Sequence, residues 1–204
     1  MRRRIILKCM AASGLQFALP RVLLAAGPGR SVMRRVRPSD PRWPSAASWE
    51  KLSEAVGGNL IEPQALFAAC QSDPNGVACA DVLENMRNPF YIGDQPGGTE
   101  VSGWLDAWTP TPSAYAIRAR NAADVAAGVD FARDHNLRLV VKGGGHSYLG
   151  TSNAPDSLLI WTRTMNRVTV HDAFVGQGCE GRVAAVPAVT AEAGGCTGNQ
   201  YYFV

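Results

Sequence analysis

Three consecutive glycines run into a histidine at Gly143-Gly144-Gly145-His146, and Ser147, Tyr148, Leu149 and Gly150 follow. Residues without a Cβ let a turn take positive φ and bring its backbone close to a ligand. Successive N–H groups in such a turn can converge on an anion such as a phosphate. The imidazole, hydroxyl and phenol that follow add a nucleophile and hydrogen-bonding groups at the same place. Chemically, the loop can cradle a diphosphate and present His146 to whatever the diphosphate carries. The glycines alone fit a flexible connection equally well.

Two phosphate-binding motifs are excluded. Lys142 precedes the glycines, so the order is not that of a P-loop, and the spacing of Gly143, Gly145 and Gly150 is not the dinucleotide fingerprint. Gly145-His146-Ser147-Tyr148-Leu149-Gly150 resembles a nucleophile elbow with one residue too many. Asn153-Ala154-Pro155-Asp156 then stands where an elbow needs a helix. A serine hydrolase using Ser147 with His135 or His171 is therefore disfavoured by spacing.

The elements around the loop follow from periodicity. Residues 115–119 read as a short strand. Asn121 is a good N-cap, and Asp124 in the first turn suits the helix dipole. Ala122, Val125, Ala126, Val129 and Ala132 fall on one apolar face at helical spacing, and His135 lies near the helix end. Residues 137–141 form the next strand. This strand–helix–strand unit puts the glycine loop at the C-terminal end of its second strand, a natural ligand position in such architecture. Residues 157–161 and 168–171 read as further strands, with His171 beginning a polar turn with Asp172. Residues 173–186 are glycine-rich and irregular, and 188–193 alternate as a strand. Upstream, residues 45–56 can form a helix capped by Ser45 or Ser48 and stopped by Gly57 and Gly58. Prolines 63, 74, 89, 96, 110 and 112 break the segment 59–111, which predicts a covering segment of short elements.

The ordered match of these pieces carries a family resemblance. Lys142 through Ser152 resembles the FAD loop of the flavin-linked oxidases, the vanillyl-alcohol-oxidase and p-cresol-methylhydroxylase superfamily, and within it the berberine-bridge-enzyme-like members. Residues 112–118 resemble that domain's first strand, 121–135 its first helix, and 157–170 the strand pair after the loop. Trp43-Pro44-Ser45, Trp49 to Leu52, Gly57 to Ile61, Cys70 and Cys79 resemble the lead-in of fungal and related bacterial members. Arg42 stands where many members carry a cysteine.

The resemblance implies an α+β fold, the N-terminal part of a PCMH-type FAD-binding domain. It implies FAD held by backbone donors of Gly143, Gly144, Gly145, His146 and Ser147, with Tyr148 and Gly150 completing the turn. His146 would bind the flavin covalently through an imidazole nitrogen. The flavin would take hydride from a small organic substrate and pass electrons to molecular oxygen. A second, cysteine-linked attachment known in some members would fall beyond Val204, and Cys179 and Cys196 lie too early for it. The family's enzymes also need a substrate domain. The 204 residues therefore read as an N-terminal fragment that holds FAD weakly or not at all by itself. The expected division is 1–26 signal peptide, 27–111 linker and covering segment, and 112–204 FAD-binding domain. The alternative is a secreted, non-catalytic fragment or binding module.

Composition narrows the classes further. A hydrophobic share of 46% with 18% charged residues is that of a globular chain. The net charge of +3 arises from the N-terminal region, where Arg2, Arg3, Arg4, Lys8, Arg21, Arg30, Arg34, Arg35 and Arg37 all fall in the first 37 positions. The body carries no basic, aromatic-studded surface, so nucleic acid is not expected as a partner. Residues 9–20 are uncharged and mostly apolar, of signal-peptide length and too short to span a membrane. Arg3-Arg4-Ile5-Ile6-Leu7-Lys8 resembles a twin-arginine signal, so export to the periplasm or outside the cell is expected. A miscalled start or a terminal tail is the alternative. In an exported chain Cys70 and Cys79 are placed to close a small loop around Asp73-Pro74-Asn75-Gly76, or they are two unrelated buried thiols. The resemblance favours the disulfide. Cys179 and Cys196 do not have zinc-ribbon spacing, and no metal is expected.

Overall fold

Every residue of β4 (Ser157–Trp161) is buried, and this strand lies inside a four-stranded sheet of order β1-β2-β4-β3. An unalternating apolar run such as Leu158-Leu159-Ile160-Trp161 is what a strand covered on both faces requires. β4 pairs in parallel with β2 (Tyr115–Arg118) and β3 (Arg138–Lys142), and β1 (Leu60–Ile61) adds an antiparallel edge to β2. The computed structural model describes residues 34–99, 102 and 111–195. From Arg35 onward these belong to one unit spanning 35–204. The expected leader and the segment from Cys196 to Val204 lie outside the described residues. Among those residues no helix is long and apolar enough to cross a membrane.

The expected strand–helix–strand unit is present as β2, α5 (Ala122–Asp134) and β3, but β4 inserts between the two strands. Asn121 caps α5, its Oδ1 accepting from Asp124 N–H at 3.0 Å. The expected apolar face of α5 is right for Val125 and Ala132, which pack into the core, and wrong for the other three. Ala122 and Ala126 are exposed and Val129 is 42% exposed, while Asp124, Gly128 and Ala132 are buried. Two contacts rotate the helix. The Asp124 carboxylate accepts from Arg120 N–H at 2.8 Å and is held inward. Gly128 is the point of closest approach, where an added Cβ would lie 2.7 Å from Ile117 Cδ1. The helix thus rests on the sheet by its smallest residue, a demand that hydrophobic counting does not register.

α1 (Ala46–Ala55) completes this layer. Ser45 caps it by accepting from Ser48 N–H. Trp49, Leu52 and Val56 join Ile117, Leu158 and Ile160 in one core. Trp49 stacks on Tyr115 with ring centroids 4.1 Å apart and tilts against Phe131 at 4.8 Å. The covering segment is therefore built into the core by an aromatic hub. The opposite face of the sheet buries Ala116, Val140, Leu159 and Trp161.

Cys70 in α2 (Ala68–Ser72) and Cys79 in α3 (Val77–Asn85) form a disulfide. Asp73 shapes the turn between the helices, its carboxylate accepting from Asn75 N–H at 3.2 Å. α2 has five residues, too few to be stable alone in water. Removing the link in Cys70→Ser/Cys79→Ser is expected to cost the α2–α3 hairpin about 2.5 kcal/mol, from the size of the loop it closes. Proteolysis between residues 68 and 85, with and without reductant, measures this. An unchanged cleavage rate would show that packing alone holds the hairpin.

β5 (Val168–Phe174) and β6 (Val186–Ala191) form a separate antiparallel pair. The expected turn at His171 is not there. The strand continues to Phe174 with a register shift between His171 and Phe174, and His171 Nε2 lies 2.9 Å from Thr190 Oγ1. β6 likewise starts earlier than expected, at Val186. Pro187 is tolerated because it sits opposite the irregular part of the ladder, where its missing N–H breaks no regular pair.

Candidate functional site at the glycine loop

β2, β3 and β4 run parallel, so their C-terminal ends share one side of the sheet, and the glycine loop leaves β3 there. Gly143 and Gly145 answer local demands. Gly143 lies against the turn after β6, where a Cβ would stand 2.7 Å from the Ala193 carbonyl oxygen. The Gly144 carbonyl oxygen lies 3.5 Å from where a Cβ on Gly93 would be, in α4 (Pro89–Asp94). Gly145 is buried with φ +82°, and a Cβ there would meet Lys142 Cδ at 3.3 Å and the Gly98 carbonyl oxygen at 3.4 Å. The loop is thus pressed between two other backbones. Its glycines serve protein packing before any ligand is considered.

His146 follows as an exposed residue. Ser147 then folds the chain into a turn. Its Oγ lies 2.7 Å from Thr151 Oγ1 and accepts from Thr151 N–H at 3.3 Å, while its carbonyl accepts from Gly150 N–H at 3.3 Å. Gly150 has φ +69°, the left-handed conformation that suits glycine. Tyr148 is 63% exposed. The N–H groups of Gly143, Gly144, Gly145 and Ser147 donate to no protein group among the described residues. They are the donors that an anion in the loop would meet.

The structure does not assemble the hydrolase alternative. The Ser147 hydroxyl is engaged by Thr151. His135 packs on Phe131 with ring centroids 4.4 Å apart, and His171 faces Thr190.

Sequence reasoning missed Lys142. It is 2% exposed, and its Nζ donates to the carbonyls of Gln95 and Gly98, each at 2.9 Å, and of Pro96. It also lies over the Trp161 ring, 5.4 Å from the centroid, and Arg118 lies at the same distance. The only signal was a lysine ending an otherwise apolar strand. Its three acceptors lie more than forty residues upstream, beyond what local pattern can reach. Burial pushes the Lys142 ammonium down from 10.5 to about 7. Between those values the unfolded chain holds a proton that the folded chain has shed. Stability at this position therefore rises with pH from about 7 toward 10.5 and levels off above it. Urea midpoints across that range should show this slope in the wild type and lose it in Lys142→Met. A slope that persists in the variant would assign it to another group.

Residues 112–199 match the family model described as FAD binding domain. The FAD-linked oxidoreductase easE of Epichloe festucae var. lolii is 33% identical over 78% of the chain and 30% of its own length. The VAO-type flavoprotein oxidase VAO615 of Thermothelomyces thermophilus is 30% identical over 76% of the chain and 31% of its own length. The crystal structure of the VAO-type flavoprotein MtVAO615 from Myceliophthora thermophila C1 superposes with a TM-score of 0.62. It is 26% identical and covers 79% of this chain and 32% of its own. The α+β unit described above is thus an FAD-binding domain of the vanillyl-alcohol-oxidase type. The chain belongs to the family of FAD-linked oxidoreductases. It spans about a third of the length of the curated relatives it matches.

Proposed function

We infer that residues 143–150 are the FAD cradle of an FAD-dependent oxidase. The observation that carries this is a set of unengaged loop amides, beside an exposed imidazole, inside the matched FAD-binding domain. In this reading the diphosphate lies on the backbone donors of Gly143, Gly144, Gly145, His146 and Ser147. Tyr148 and Gly150 complete the turn that would hold it. The Ser147 hydroxyl is already used by Thr151, so Ser147 contributes its amide and not its side chain. His146 tethers the flavin through an imidazole nitrogen. Bound flavin supplies the redox step, taking hydride from a small organic substrate and delivering electrons to molecular oxygen. The protein's part is to place and hold. β3 aims the loop, Gly145 turns it, and the parallel strand ends give it a rigid base.

The same reading divides the chain into a signal peptide at 1–26, a covering segment at 27–111 and the FAD-binding domain at 112–204. It places the protein outside the cytoplasm. The Cys70–Cys79 disulfide supports that location, because such links persist in oxidising compartments. A covalent tether also suits a compartment where lost cofactor is not replaced.

The test is an absorbance spectrum of the purified protein before and after acid precipitation. Flavin colour that stays with the precipitate supports covalent attachment. Colour that passes into the supernatant supports FAD binding and removes the tether. Folded protein that takes up no colour when mixed with FAD shows that these 204 residues, about a third of the relatives' length, do not hold the cofactor by themselves. Flavin whose retention is unchanged in Gly145→Val contradicts the cradle itself.

A further inference from the structure

One short segment is gripped from both ends of the glycine loop. Lys142 is the last residue of β3, and Asn153 follows the turn that closes the loop. The Lys142 ammonium donates to the carbonyls of Gln95, Pro96 and Gly98. Asn153, also buried, donates through Nδ2 to the carbonyl of Gly97 at 3.4 Å. Four successive carbonyls, 95 to 98, therefore end on two buried side chains that bracket residues 143–152. An ammonium has three N–H donors, which matches the three carbonyls it meets. The orientation of the Asn153 amide is fixed independently. Its Oδ1 accepts from Ser113 N–H at 2.8 Å and from Ser113 Oγ at 2.7 Å, which leaves Nδ2 to face the segment.

The segment has no room to drift. A Cβ on Gly97 would lie 2.0 Å from the Gln64 carbonyl oxygen, and one on Gly98 would lie 2.5 Å from that of Ile92. On its other side it touches Gly145, the glycine whose positive φ turns the loop. Residues 95–98 are thus a strap wedged between residues 64–65 and the loop.

We propose that Lys142 and Asn153 are positioning residues that hold residues 95–98 as a strap across both stems of the glycine loop, so that the loop amides stand ready for the flavin diphosphate. The proposal rests on the reading of the loop as the FAD cradle. Neither side chain touches the flavin in this scheme. Both act through the strap and Gly145.

Hydrogen exchange followed by mass spectrometry on the FAD-free protein at about pH 6, where the Lys142 ammonium keeps its three donors, tests the strap directly. Lys142→Met keeps an apolar stem of similar length and removes all three donors. Asn153→Asp keeps an oxygen to accept from Ser113, removes the donor to Gly97 and sets a carboxylate oxygen against that carbonyl. In Lys142→Met the peptide covering 95–99, where the N–H groups of Gln95, Gly98 and Thr99 are hydrogen-bonded, is expected to exchange on the order of tenfold faster, while β2 and β4 keep wild-type rates. Asn153→Asp should give the same pattern, about threefold. Should Lys142→Met fail to fold, Asn153→Asp alone decides. Unchanged strap exchange, or equal acceleration across the sheet, overturns the proposal.

Flavin retention provides the second readout. After incubation with FAD and gel filtration, folded Lys142→Met should retain about tenfold less flavin than wild type, the loss expected for a loop that must first be ordered. Equal retention would overturn the positioning role. If the wild type takes up no FAD yet the strap exchanges as stated, the strap is confirmed and the 204 residues do not hold FAD by themselves.

Discussion

His146→Ala is expected to abolish acid-stable flavin. The side chain is exposed, its backbone belongs to the loop stem, and the donors of Gly143, Gly144, Gly145 and Ser147 remain in the variant. FAD should therefore still associate, but acid should release all of it into the supernatant. The comparison of pellet and supernatant absorbance makes the test quantitative, and a far-UV circular dichroism spectrum checks that the variant folds. Colour retained in the pellet of His146→Ala would place the attachment on another residue. Cys179 would then be the next to replace, since it is exposed and carries a free thiol. Loss of all FAD association, from a folded variant, would mean that the imidazole contributes to binding beyond its role as a tether.

Gly97→Ala is expected to be the most damaging single methyl group within the strap. Its Cβ would lie 2.0 Å from the Gln64 carbonyl oxygen and 3.0 Å from its carbonyl carbon. Both atoms are backbone, so no side chain can swing aside. The strap or residues 64–65 must move, and overpacking of this kind costs about 3 kcal/mol or more. Gly178→Ala is the contrasting control. Unlike Gly97 it has positive φ, +80°, and nothing lies within 4 Å of the added methyl. Only the left-handed conformation is penalised there, about 1 kcal/mol. Urea denaturation of both variants separates the two costs. Equal losses would show that the strap yields easily and that residues 64–65 do not hold it.

The legible parts of this fold were those written in local chemistry. Asn121 and Ser45 cap the helices they were expected to cap, and the apolar run at 157–161 is the fully buried strand. The glycine loop leaves its strand where the periodicity put it. What escaped the sequence was set by contacts distant along the chain. The face of α5 departs from its expected position because Gly128 and Asp124, a residue without a side chain and a charged one, are buried alongside Ala132. Three apolar residues at helical spacing turned outward instead. β5 runs past its expected end because β6 supplies a partner for Phe174. Lys142 looked like a reason to reject a phosphate motif. Its three carbonyl partners only become visible once the chain has folded back on itself.

The sheet order also sets a sequence of events. β4 stands between β2 and β3, yet it is made after both. Until residues 157–161 have left the ribosome, β3 has no neighbour in the sheet, and β2 has only the two-residue β1. The turn at Gly145 and the imidazole beside it hang from a strand without a partner. One short, wholly apolar strand thus acts as the keystone, and the loop takes its shape only after that strand is set.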